Sequence, residues 1–418
     1  MTGALTAPAD TTPVTPARRP GPLVALIAAH GASLTGNMIT LVALPLYVLA
    51  ETGSAVLTGV AGAFAFAPVI IGGVFGGVVV DLVGYRRASI VADLASGATM
   101  AVIPLAALVG GLPIWAVIAL VFLSGLLDTP GQTARAALLP DAAALAGVPV
   151  ERALGFFGAT HRASWLVGAP LAGALVAVAG AETAIAVDAA TFAAAALVVA
   201  AFVPRALQPT VDDEPDAGGY WAAFGAGVRF VARDPLLRAI VLLVVVTNLF
   251  DAAKASVLLP VVANERLGGA AALGLLVGVM GGGALIGSLL YGAVGHRLPK
   301  RATLVLAFVI AGPPPFLALA AGWSLWPLVG VFVLAGFAAG AINPLLETAE
   351  LARVPANMRA RVFGAVGAGC WAAMPIGALG AGFASERFGA SGVLLVAGAL
   401  YLLVALTPLI GAHWRQLP

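Results

Sequence analysis

Polar and ionisable side chains inside long apolar runs are the residues of this chain whose chemistry is informative. Each is costly at membrane depth and is therefore a candidate for function by default. They are Asn37, Asp128, Asn248, Asp251, Lys254 and Asn343. Helical spacing groups them with others. His30, Ser33, Asn37 and Thr40 fall at i, i+3, i+7 and i+10, one stripe of a helix; Asp128, Gln132 and Arg135 make a second stripe, and Asn343, Glu347 and Glu350 a third. Such stripes offer a polar path for a proton or for a polar group of a solute. Asp251 and Lys254 are three residues apart, close enough to pair, and a pair costs far less than two lone charges at low dielectric. A solute or proton that breaks the pair would be coupled to it. Asp128 is read as a carboxyl without a partner one turn away on its own helix, which makes it the expected proton carrier.

Composition fixes what must hold these residues. The 418 residues are 61% hydrophobic and only 10% charged, with 52 glycines and a mean hydropathy of +1.05. Soluble proteins are about 45–50% apolar and about 25% charged, so this chain cannot hide its apolar side chains from water. Disorder is excluded by the same arithmetic. A single cysteine, Cys370, excludes a disulfide framework and, with no nearby His spacing, a metal site. A net charge of +2 makes no field for nucleic acid. The expected fold is an all-α integral membrane protein.

A bilayer-spanning helix needs roughly 20 apolar residues. Twelve such stretches are read, at roughly 23–49, 56–80, 88–110, 113–137, 153–179, 182–203, 236–262, 271–294, 302–321, 325–350, 361–384 and 391–412. They divide the chain into an N-terminal tail (1–22, rich in Pro, Thr and Ala, expected to be disordered and not a cleavable signal peptide) and a first six-helix bundle (23–203). A polar central loop (204–235) containing Asp212-Asp213-Glu214-Pro215-Asp216, a second bundle (236–412) and a short C-terminal tail (413–418) follow. Of the 21 Lys and Arg, all but Arg266, Arg387 and Lys254 fall in the N-terminal tail, on every second loop, or in the C-terminal tail, so both termini are expected on the cytoplasmic side.

Self-similarity near half the chain length suggests two copies of one unit. At an offset of 211, Gly76, Gly84 and Arg86 meet Gly287, Gly295 and Arg297, and Asn37 meets Asn248. The expected architecture is two pseudo-symmetric six-helix bundles.

Between spans 2 and 3 lies Gly77-Val78-Val79-Val80-Asp81-Leu82-Val83-Gly84-Tyr85-Arg86-Arg87. Its Gly-x-x-x-Asp-x-x-Gly-x-Arg-Arg pattern resembles the signature loop of the major facilitator superfamily, and twelve spans in two halves extend the resemblance over almost the whole chain. In that family the loop latches the halves through Asp81, Arg86 and a second acid at the end of span 4, where Asp141 stands; Arg87 belongs to the same motif. Spans 1, 4, 7 and 10 line the central cavity in that fold, the spans that carry Asn37, Asp128, Asn248, Asp251, Lys254 and Asn343.

Finer similarity points to the drug- and siderophore-exporting branch that includes enterobactin exporters and macrolide efflux proteins. It rests on Gly36-Asn37-Met38-Ile39-Thr40, Ala43-Leu44-Pro45, Thr52-Gly53-Ser54, Arg135-Ala136-Ala137-Leu138-Leu139-Pro140-Asp141 and Arg361-Val362-Phe363-Gly364. Gly168-Ala169-Pro170-Leu171-Ala172-Gly173 is similar to the antiporter motif of exporters, with Ala169 where that motif carries Gly. Asn37 stands where many members of the branch have Asp, and an amide cannot titrate. The resemblance implies a monomeric secondary transporter in a bacterial-type inner membrane. It would exchange protons for an amphipathic organic compound such as a drug, antibiotic or siderophore by alternating access, with membrane lipid around it and no cofactor.

Arg135, Glu347, Glu350 and Arg361 are expected as a charge cluster that closes the cytoplasmic gate. Asp93 is read as structural, Cys370 as packing, and Asp188 is left without a role. A phosphate loop of the Gly-x-x-x-x-Gly-Lys-Ser/Thr type is absent, which excludes ATP-driven pumping, and no elbow motif supports an enzyme. A lysophospholipid flippase, an uptake uniporter or symporter, and a non-transporting membrane sensor are the alternative functions.

Overall fold

The computed structural model describes residues 18–207, 219–355 and 358–417; within these, the side chains of 73–79, 81, 219–221, 223, 360 and 412 lie outside the described residues. Twelve helices are long and apolar enough to cross a membrane, and no strand occurs among the described residues. The spans are Gly21–Thr52, Ala55–Val83, Tyr85–Ala107, Ile114–Ala146, Val150–Ala179 and Ala181–Phe202 in the first half. In the second half they are Pro235–Leu267, Ala270–Arg297, Lys300–Ala320, Leu325–Arg353, Arg361–Phe388 and Ala390–Leu409. Backbone groups have no water partner in a hydrocarbon layer, so helices that satisfy them internally are the available solution. The acidic run at 212–216 and the tail before Arg18 lie outside the described residues.

Two departures from a plain bundle have local causes. The stretch read as a polar loop contains a further helix, Gly219–Arg233, whose Phe230 and Val231 pack on Val354, Val362 and Val366 at the ends of spans 10 and 11. Polarity of the residues before it masked this short apolar stripe. Span 7 winds more widely at Lys254–Leu258 and again at Ala263–Leu267, on either side of Pro260, whose missing N–H interrupts the ordinary ladder. Span 4 also differs from expectation: it runs on to Ala146, so Arg135 lies within the helix rather than at its end.

The internal duplication shows in how the sixth span of each half is tied down. Arg86 donates from Nε to the Val203 carbonyl at 2.7 Å and from Nη2 to Ala200 at 2.6 Å. In the second half Arg301 does the same for span 12, from Nε to Pro408 at 2.7 Å and from Nη2 to Leu409 at 2.5 Å. A guanidinium suits the negative end of a helix. Arg297, the residue matched to Arg86 by offset, instead bonds His296 at 3.2 Å; the working equivalence lies about one turn later in the chain. Gly84 makes the turn that presents Arg86, at φ 87 and ψ 135, a conformation open to glycine.

The halves meet along two seams, span 2 against span 11 and span 5 against span 8, and small residues set the distance. A Cβ on Gly173 would lie 2.6 Å from the Ala270 carbonyl, one on Gly274 2.6 Å from the Ala169 carbonyl, and one on Gly382 2.8 Å from the Ala55 carbonyl. Gly62 is held against Ser256 in the same way, at 2.5 Å. All of these lie between mid-span and the end remote from the termini. Nearer the termini, Gly155 and Gly158 of span 5 and Gly364 and Gly367 of span 11 have nothing within 4 Å of where a Cβ would sit. The tight seams therefore close the far end of the molecule and do not continue to the terminus-bearing end.

Candidate functional site

Six polar residues of the first half, Ser33, Asn37, Ser89, Asp93, Asp128 and Gln132, gather in a buried cluster around Arg135. Spans 1, 3 and 4 position it, through the helical stripes that bring Ser33 and Asn37 toward Asp128 and Arg135. Arg135 is fully buried and donates from Nη1 to Asp93 at 2.6 Å, from Nη2 to Ser33 at 3.2 Å and from Nη1 to Ser89 at 3.4 Å. Asp128 lies 3.8 Å from the same guanidinium. Its Oδ2 accepts from the Asn37 amide at 2.8 Å and from the Gln132 amide at 2.6 Å, and its Oδ1 accepts from Ser33 at 3.4 Å. These bonds correct two expectations. Asp128 does have a partner one turn along its own helix, Gln132. Arg135, expected among the charges of the cytoplasmic gate, is instead the buried cation of this cluster, because span 4 extends past it.

Thr40 leaves the stripe and donates to Asp188 of span 6 at 2.5 Å. The other carboxyl oxygen of Asp188 is buried without a hydrogen-bond partner and lies against Gly36, whose missing side chain makes the room. Asp188 is thus a buried carboxyl beside span 1 that sequence reasoning left without a role; the Gly36-Asn37-Met38-Ile39-Thr40 segment was the signal beside it. His30 is buried and stacks on Phe157, ring centroids 3.8 Å apart and 6° from parallel.

The second half holds a different arrangement on span 7. Lys254 donates to Asp251 at 2.7 Å, and its ammonium lies 4.8 Å from the centre of the Phe316 ring. Tyr401 of span 12 donates to the other oxygen of Asp251 at 3.3 Å. The lysine side chain is 5% exposed and that of Asp251 37%, so the pair presents its carboxylate outward and keeps its cation covered. The wide turn begins at Lys254, just after Asp251, and unusual turns of this kind concentrate at functional sites. Tyr401 and Phe316 come from distant spans and carried no sequence signal. Asn248 donates to the Cys370 carbonyl at 2.9 Å and so ties span 7 to span 11 rather than matching the Asn37 bond.

The remaining expected residues disperse. Asn343 and Glu347 are exposed, and Glu350 and Arg361 half-buried. Arg86 is spent on the end of span 6. Asp141 makes no hydrogen bond or ion pair among the described residues, so the structure does not bring Arg86 and Asp141 together as a latch. Gly77 and the Asp81 side chain lie outside the described residues, and Arg87 is exposed. Gly168 packs on Met38 and the Thr35 carbonyl of span 1, Pro170 on Gly278, and Gly173 on Gly274; the antiporter-like segment is the seam of span 5. No group of three or more His, Cys, Asp or Glu able to hold a metal occurs among the described residues.

A profile of the transmembrane secretion effector family matches residues 11–414. The multidrug efflux pump Tap of Mycolicibacterium fortuitum is 29% identical over 407 residues, covering 95% of this chain and 97% of that protein. The multidrug efflux pump Tap of Mycobacterium tuberculosis (strain ATCC 25618 / H37Rv) is 30% identical over 397 residues, covering 93% and 92%. Among solved structures, the nucleoside transporter NupG aligns with a TM-score of 0.69 at 12% identity, covering 92% of this chain and 97% of that one. A POT family transporter in complex with 5-aminolevulinic acid aligns with a TM-score of 0.70 at 12% identity, covering 94% and 95%. Those two share its fold. With a match that spans nearly its whole length and relatives alike from end to end, the chain belongs to the transmembrane secretion effector family, within the major facilitator fold.

Proposed function

We propose that the protein is a secondary exporter that exchanges protons for an amphipathic organic molecule by alternating access, with Asp128 as the proton-exchanging group. The observation that carries this reading is the bonding of Asp128. Its carboxylate is buried and held by Asn37, Gln132, Ser33 and the more distant Arg135, while Arg135 has Asp93 as its short-range partner. Arg135 can therefore stay paired when Asp128 takes up a proton, so protonation changes the cluster without stranding a bare guanidinium. One elementary charge crossing 100 mV is worth about 2.3 kcal/mol, enough for one coupled proton to sustain a useful gradient. Export of drugs is supported by the names of the relatives and by the span 5 seam.

The proton gradient is the energy source and no cofactor takes part. Both termini lie in the cytoplasm of a cell with an inner-membrane-type bilayer, in line with the distribution of Lys and Arg. The tight seams then close the periplasmic face, and this state opens toward the cytoplasm. Asp251 turns its partly exposed carboxylate toward the solute in the second half, backed by the buried Lys254, Tyr401 and Phe316. The working unit is one chain. The test is purified protein in liposomes containing a pH-sensitive dye, screened with amphipathic drugs and siderophores under an imposed pH gradient. Solute-dependent proton flux is the expected result; solute movement without proton flux would refute coupling and favour a uniporter or a lipid flippase.

A further inference from the structure

The two seams at the far end occupy equivalent places in the duplicated fold, yet they are joined differently. The span 5–span 8 seam is apolar, glycine and proline against backbone. The span 2–span 11 seam carries a polar tie at its outer edge. Glu386, in the last turn of span 11, accepts from the Ser54 hydroxyl at 2.5 Å and from the Val56 backbone N–H at 3.1 Å, both in the other half. Ser54 is itself the N-cap of span 2 and accepts from the Leu57 N–H at 3.2 Å. The carboxylate therefore bonds both the cap and an otherwise unpaired amide at the positive end of a helix that belongs to the opposite bundle.

Glu386 is exposed and borders a cleft of about 360 Å³ at the far end. Below it the helices pack closely, with Gly59 and Gly382 against backbone and Gly62 against the Ser256 and Ala378 side chains. Such packing holds when the helices are in register and offers little once they part, whereas Glu386 must release two specific bonds before they do.

We propose that Glu386 is a positioning residue for the transport cycle: an inter-half strut whose two acceptor bonds to the N-terminus of span 2 hold the far end shut. This rests on the alternating-access reading above. Losing the bonds moves the population toward the state open at the far end, without touching either polar cluster.

The experiment reads accessibility rather than transport, so it stands even if proton coupling fails. Ser256, buried on span 7 against Gly62, becomes a near-isosteric reporter as Ser256→Cys in a Cys370→Ser background, since Cys370 is the one native cysteine. Protein in liposomes is treated with a membrane-impermeant maleimide from the side remote from the termini. With Glu386→Ala, labelling is expected to accelerate about tenfold, the scale of one or two lost hydrogen bonds. Glu386→Gln keeps a carbonyl acceptor for Ser54 and Val56 and is expected to label close to the parent rate. Ser54→Ala is expected to fall between them. Unchanged labelling in Glu386→Ala with an unchanged thermal unfolding midpoint would overturn the proposal. Equal acceleration by Gln and Ala would overturn the acceptor geometry on which it stands.

Discussion

The side-chain amide of Asn37 donates to the Asp128 carboxylate at 2.8 Å and so joins span 1 to span 4 inside the first half. Asn37 cannot carry a proton, but it fixes the position of a group that can. A hydrogen bond to a charged acceptor is worth roughly 1.5–3 kcal/mol. Asn37→Ala is expected to lower the thermal unfolding midpoint and slow transport. Asn37→Asp is expected to be worse, because it sets a like charge beside Asp128. A variant with Asp at this position that unfolds later than the Ala variant would contradict the arrangement.

Arg135 and Asp93 are both fully buried, and removing one partner of such a pair typically costs about 3–5 kcal/mol because the other charge is stranded. Arg135→Met strands Asp93 and Asp128, whereas Arg135→Met with Asp93→Leu strands only Asp128. Unfolding of the solubilised protein is expected to show the double variant more stable than Arg135→Met alone. Additive damage from the two substitutions would mean that the pair is not coupled.

Lys254 and Asp251 give a parallel case with a different exposure. Lys254→Ala leaves Asp251 with the Tyr401 hydroxyl as its remaining donor, so solute transport is expected to fall further than in the Asp251→Asn, Lys254→Ala double variant. Tyr401→Phe removes a donor and keeps the ring packing on Phe316; a modest loss, within about tenfold, is expected in solute flux.

The legibility of these features in the sequence follows from how far each depends on other helices. Span number and placement depend on a local run of apolar residues, and all twelve are read from it. The Asp251–Lys254 pair lies on one helix at a spacing of three, so it too is visible. Which face of span 4 meets span 1 is a tertiary property, and without it Asp128 passes for a group with no fixed partners. Arg135 is misjudged for a related reason: its depth depends on where span 4 stops, and Pro140 followed by Asp141 reads as a break although the helix continues to Ala146. Asp188 and Tyr401 lie on spans dominated by apolar residues, and only the fold shows that Thr40 and Asp251 reach them. Arg86 and Arg301 make equivalent bonds from positions that a fixed sequence offset cannot align.

The span 5–span 8 seam should tolerate nothing larger than glycine at its closest points. A side chain on Gly274 would enter the Ala169 carbonyl and the Gly173 backbone. Gly274→Leu is expected to force the far end apart, raising maleimide labelling of Ser256→Cys from that side. Labelling at the parent rate, in protein that remains folded, would mean the seam is held elsewhere.

Asp234 sits just before span 7, where it accepts from the Leu236 and Leu237 amides at 2.9 and 3.0 Å and from Arg353 at 2.8 Å. Burial alone would raise this carboxyl; the Leu237 amide, the Arg353 guanidinium and the Leu236 amide outweigh it and hold the group below the ordinary carboxylate range. A carboxyl depressed in the folded state contributes stability above its unfolded value, about 3.9, and loses it as pH falls through the folded value. Asp234→Ala is expected to lower the unfolding midpoint at neutral pH, with the difference from the parent shrinking below about pH 4. A difference independent of pH would assign the effect to packing.

The most direct measurement is proton flux through liposomes reconstituted with the parent protein and with Asp128→Asn, under an imposed pH gradient and with a solute that the parent transports. The amide introduced by this substitution can still bond its neighbours but cannot exchange a proton. Solute-driven proton flux is expected to vanish in Asp128→Asn while solute binding remains measurable. Undiminished solute-coupled proton flux in Asp128→Asn would remove Asp128 from the mechanism.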